Sequence, residues 1–107
     1  MAPARAVDPP PAPRLTLLDE IELLKRARSA QRAGEGARAL ALLDRYERER
    51  AGESLIAEAT LLRIEVLAAL GRKAAASELA QRFVRDNPNH ALSDRARSFI
   101  GGTPQVP

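Results

Sequence analysis

The 107-residue chain has no cysteine and no tryptophan, one histidine, and three aromatic residues in all, Tyr46, Phe83 and Phe99. Without cysteine there is no disulfide, no thiolate-ligated zinc and no thiol nucleophile. His90 stands in a turn-like stretch with no second histidine at helical spacing to join it on a metal, so it reads as a surface turn residue. The segment Gly34-Glu35-Gly36 lacks the following Lys-Ser/Thr of a phosphate loop. Glu58 and Glu65 sit seven positions apart, about 10 Å along a helix axis, too far for a coupled acid and base. They read as surface or groove carboxylates. No catalytic, metal or cofactor-binding residue emerges, and the expectation is a protein that is not an enzyme. No run approaches the roughly 20 apolar residues of a membrane span, and residues 1–14 lack the apolar core of a secretory signal.

What the chain does have is alanine and leucine, 21 and 15 residues respectively, with few β-branched side chains. That mixture leads the helix propensity scale and disfavours strands. The 17 basic and 14 acidic residues leave a net charge of +3. They are mostly interleaved, as on a solvated helical surface, which argues against a nucleic-acid footprint. Residues 1–15 are proline-rich and read as a polyproline-like tether. Residues 102–107 read as a loose tail, leaving 16–101 as the folded domain.

The most continuously apolar stretch, Ser54 to Leu70, predicts a central helix whose Leu55, Ile56, Ala59, Leu62, Val66, Leu67 and Leu70 cover about half its circumference. Such a helix needs neighbours on at least two sides. Before it, Thr16 and Asp19 form an aspartate version of the capping box. A first helix then runs from about Leu17 to Ala33, with Leu17, Leu18, Ile21, Leu24, Ala27 and Ala30 facing inward and Gly34 and Gly36 ending it. A second runs from about Ala37 to Arg50 over Ala39, Leu40, Leu42, Leu43 and Tyr46, ended by Gly52. After the central helix, Lys73 to Asp86 form a fourth on Ala76, Leu79, Ala80 and Phe83, closed by Pro88, which disfavours helical geometry at Asn87. Leu92, Ala96, Phe99 and Ile100 mark a short fifth. Arg63 interrupts the apolar sector of the central helix; either its stem lies along the core with the guanidinium reaching out, or it pairs with an acid such as Asp44 or Glu47 of the preceding helix.

Sliding the chain against itself by 37 positions aligns Gly34 with Gly71, Ala39 with Ala76, Leu42 with Leu79, Tyr46 with Phe83, Leu55 with Leu92 and Ala59 with Ala96. The chain is thus expected to be all-α, two helical hairpins plus a closing C-terminal helix. Glycine at the turn, alanine five positions on, an aromatic seven later and a proline at the end of the second helix occur at Gly71, Ala76, Phe83 and Pro88. The first unit matches at Gly34, Ala39 and Tyr46, with Ala51 in the proline position and Leu23 and Thr60 in the aromatic positions of the two first helices. This pattern resembles the tetratricopeptide repeat (TPR) family of α-solenoids, with a longer period than the usual 34 residues.

The resemblance implies a concave face that takes a peptide or helix. By position, that face carries Ile21, Leu24, Arg28, Gln31 and Arg32 from the first unit and Glu58, Leu61, Glu65, Ala68 and Ala69 from the second, followed by Arg95 and Ser98. The lysine and asparagine clamp for a C-terminal carboxylate is absent, Leu24 and Arg28 standing in its first-unit positions. The implied role is a protein-interaction or scaffold module, similar to the short repeat domains that follow Pro-rich linkers in bacterial envelope proteins. The sequence assigns no compartment: the cytoplasm is expected for the chain as it stands, the periplasm for a fragment of a membrane-anchored protein. Two other readings remain. Lys73 to Phe83 is like the first helix of a helix-turn-helix, though Pro88 falls where a tight turn would lead into a recognition helix. Two and a half units are also fewer than a stable stack usually needs, which suggests a homodimer.

Overall fold

The computed structural model describes residues 15–101. The expected tether over residues 1–14 and tail over 102–107 lie outside the described residues. Among those described there are five helices and no strand: α1 (Leu17–Arg32), α2 (Gly36–Glu49), α3 (Ile56–Ala69), α4 (Lys73–Asp86) and α5 (Ser93–Arg97). α1 packs against α2 and α3 against α4, forming two hairpins. α3 also meets α2 and α1, and α5 closes over α4.

Local chemistry sets the helix ends. The Thr16 hydroxyl accepts from the Asp19 amide at 3.1 Å while the Asp19 carboxylate accepts from the Thr16 amide at 3.1 Å, a complete capping box. Both hairpin turns are Schellman motifs. Gly34 (φ +79°) donates to Gln31 and Glu35 to Ala30, and Gly71 (φ +83°) donates to Ala68 and Arg72 to Leu67. Each turn needs a left-handed residue, which glycine adopts without a Cβ penalty. Gly36 does not break a helix; it opens α2, where a Cβ would lie 2.6 Å from Leu70 Cδ2 and force that side chain aside. Nor does Gly52 terminate α2. The chain leaves the helix at Arg50, already extended at ψ 143°. At the end of α4, the Asn87 side chain donates to the Phe83 carbonyl at 3.0 Å, and His90 Nδ1 accepts from the Leu92 amide at 3.0 Å. His90 is exposed in this turn, its ring edge-on to Phe83 at 5.7 Å.

The core has two halves that share α3. One is built from Leu23, Ala27 and Ala30 of α1, Ala39, Leu43 and Tyr46 of α2, and Ala59, Leu62 and Val66 of α3. The other joins Leu61 and Ile64 of α3 to Ala76, Ala80 and Phe83 of α4 and Ala96 of α5, with Leu67, Leu79, Leu92, Phe99 and Ile100 packed around it. The central helix therefore does bury two sides, as its wide apolar sector requires. The 37-residue repeat is visible in the core: Ala39 and Ala76, Leu43 and Ala80, Tyr46 and Phe83, and Ala59 and Ala96 are all buried. Small residues at Ala39 and Ala76 leave no room for a longer side chain. Ala76→Leu should cost about 1–3 kcal/mol through overpacking, read as a lower urea midpoint; an unchanged midpoint would contradict the packing.

Three further expectations are corrected. In α1 the inward residues are Glu20, Leu23, Ala27 and Ala30, while Leu17, Leu18 and Ile21 face solvent and Leu24 is half-buried. The i, i+3, i+7, i+10 row starting at Glu20 ends in two alanines, which let α2 approach closely, and the leucine row is turned about a third of the circumference away. Leu70, which caps α3, is exposed, and Ile64 of α3, not anticipated, is fully buried. Leu15, assigned to the tether, belongs to the fold: its amide donates to the Glu49 carbonyl at 2.9 Å and its side chain packs on the first half of the core.

Candidate functional site

The residues expected to share one concave face are divided by the structure. Ile21, Leu24 and Arg28 of α1 meet Glu58 of α3 along an open groove of about 200 Å³, completed by Lys25, Leu55 and Leu62. Gln31 and Arg32 continue the same side of α1 by one turn, Arg32 exposed and Gln31 half-buried. Ala68 and Ser98 instead line a separate cleft of about 610 Å³ beside Lys73, Ser77 and Phe99. Ala69 is exposed at the end of α3.

Leu61 and Glu65 are buried rather than presented on an open face. Leu61 is buried in the second half of the core. Glu65 is buried too, and its carboxylate accepts from Arg95 Nε at 2.5 Å, tying α3 to α5. Both lie on the side of α3 that meets α4 and α5, because α3 is enclosed on two sides and only a narrow strip near Glu58 stays open. Arg63 does pair with Asp44, Nη2 to Oδ1 at 2.9 Å, an α2–α3 link partly open to solvent.

α1 owes its role in the groove to the rotation described above. Burying Glu20 rather than Leu17 or Ile21 leaves three large apolar side chains outside: Leu18 is 77% exposed, Leu17 52% and Ile21 38%. Sequence periodicity missed this because it assigned the leucines to the core. The signal that could have found it is the pair Ala27 and Ala30, whose small size marks the side of α1 that another helix approaches.

No match to this chain is found among protein-family models, curated proteins or solved structures. The site therefore rests on its own geometry. Among the described residues, no group of His, Cys, Asp or Glu side chains is placed to hold a metal ion, and no helix is long and apolar enough to cross a membrane.

A buried polar group lies behind the groove. Glu20, 2% exposed, accepts from the Ala51 amide at 2.9 Å through Oε2, pinning the α2–α3 connection onto α1. Its Oε1 and the Tyr46 hydroxyl have no hydrogen-bond partner among the described residues, and Arg50 Nε stands 3.8 Å from Glu47 Oε1, an ion pair too long for a hydrogen bond. Burial, and after it the Glu20 charge, hold the Tyr46 phenol above its ordinary value. A folded-state value above the unfolded one means the folded protein keeps this proton longer. The associated stability is intact below about pH 10 and is lost as pH rises through the folded value. Tyr46 is the sole tyrosine, so tyrosinate absorbance reads it alone. Its midpoint should lie at higher pH in the native protein than in urea; coincident midpoints would contradict this placement.

Proposed function

We propose that the protein is a non-enzymatic protein–protein interaction module, a TPR-like stack of two hairpins and a closing helix that receives an apolar helix or extended peptide in the groove between α1 and α3. The observation that carries this reading is the exposure of Leu17, Leu18 and Ile21 beside a groove floored by Leu24, Leu55 and Leu62. Single exposed leucines are ordinary on protein surfaces, but a contiguous apolar row continuing into a concavity is the signature of a docking site. The 37-residue correspondence of buried positions and the paired glycine turns support the repeat-family reading. A place in a bacterial envelope or regulatory protein rests on the sequence resemblance alone. The helix-turn-helix alternative is less well supported, since the helix after Pro88 has only five residues, Ser93–Arg97.

Fluorescence anisotropy with a labelled, neutral, leucine-striped helical peptide tests this reading. Ile21→Asp should weaken binding by at least about ten-fold, from the loss of one buried aliphatic contact, with helical circular dichroism unchanged because Ile21 is partly exposed. Equal affinity for parent and variant would place binding elsewhere.

A further inference from the structure

The side of α1 that forms the groove changes character along its length. Leu17, Leu18, Ile21 and Leu24 make its first half apolar, whereas Lys25, Arg28 and Arg32 make its second half basic. Helical spacing places these three cations in one row following Ile21, at four, seven and eleven residues beyond it. Of the cations on the other elements, Arg45, Arg50, Arg63, Arg95 and Arg97 have an acid within 4.0 Å, while Arg38, Arg48, Arg72, Lys73, Arg82 and Arg85 have none among the described residues. No described acid pairs with Lys25, Arg28 or Arg32 in this way. Glu58 is the one acid lining the groove, against both Lys25 and Arg28, so the groove keeps an excess of positive charge next to its apolar floor.

We infer that the occupant of the groove is an acidic amphipathic segment of another protein, whose apolar side chains enter between Ile21, Leu24 and Leu55 and whose carboxylates meet Lys25, Arg28 and Arg32. This rests on the groove being the binding face. A second copy of the chain would bring the same cations to the contact. An anionic bilayer calls for a convex apolar face, whereas here Leu24, Leu55 and Leu62 line a concavity with Glu58 at its edge, and Asp19 and Glu22 are exposed on the same helix.

Two labelled synthetic peptides, sharing one leucine stripe and carrying either Glu or Lys at the flanking positions, are titrated into the full chain and into a Lys25→Glu/Arg28→Glu variant. The Glu peptide should bind the parent about ten-fold more tightly than the Lys peptide at low salt, the gap should shrink as salt rises, and the preference should reverse in the variant. Lys25 and Arg28 are exposed, and circular dichroism checks that the variant keeps its helices. Equal affinities for the two peptides overturn the charge assignment and leave the groove reading standing, while failure of both peptides and of the neutral one overturns both. Two further results would overturn the inference. One is binding to phosphatidylglycerol vesicles that the variant loses and the Glu peptide does not compete away. The other is a parent dimer in sedimentation that the variant dissolves.

Discussion

Tyr46→Ala should remove about 3–5 kcal/mol of folding free energy, the range for deleting a large buried aromatic side chain. Tyr46 is completely inaccessible to solvent and is the largest such side chain among the described residues. Its ring sits in the half of the core that joins α1, α2 and α3, so the cavity would open where three elements meet and no single helix could collapse into it. A chain of this size has roughly 5–15 kcal/mol in total, so the variant would be close to unfolding at ambient temperature. Tyr46→Phe should cost far less, since the ring supplies the packing and the hydroxyl has no hydrogen-bond partner among the described residues. Urea denaturation of both variants checks this. Similar midpoints for Ala and Phe would mean the ring is not a structural centre.

Leu62→Ala is expected to cost about 2–5 kcal/mol. Leu62 is 1% exposed on α3 and packs in the same half of the core as Tyr46, and it also forms part of the groove. The effect should therefore be double: a lower thermal midpoint, and weaker binding of the neutral peptide even at temperatures where the variant is folded. Calorimetry together with anisotropy checks it, and a loss below about half a kcal/mol would be incompatible with a central α3, since full burial of a leucine is worth about 1.5–3 kcal/mol.

The fold was legible in the sequence wherever local chemistry decides it. The Thr16/Asp19 capping box, the left-handed glycines at 34 and 71, the span Lys73–Asp86 and the enclosed α3 are all as the residues imply. Spacing failed where two apolar rows competed on one helix. In α1 the row with more leucines lost to the row with Ala27 and Ala30, because close approach of α2 requires small side chains and the Glu20 row supplies them. The same limitation divided the expected binding face. Position in a repeat says which helix a residue is on, but not that the α4 and α5 side of α3 is sealed, which buries Leu61 and turns Glu65 into the anchor of Arg95. Arg63 was readable because a charge in an apolar sector has few ways to be satisfied, and Asp44 on the preceding helix is one of them.

α3 belongs to both halves of the core, so the two hairpins form one cooperative unit that holds the α1–α3 groove open. Native-state hydrogen exchange of the parent and of Leu62→Ala tests this most directly. The slowest amides should lie in α3, and the substitution should lower protection in α2 and α4 by the same free energy, although Leu62 packs only in the first half of the core. Wild-type protection throughout α4 in the variant, with loss confined to α1 and α2, would contradict it.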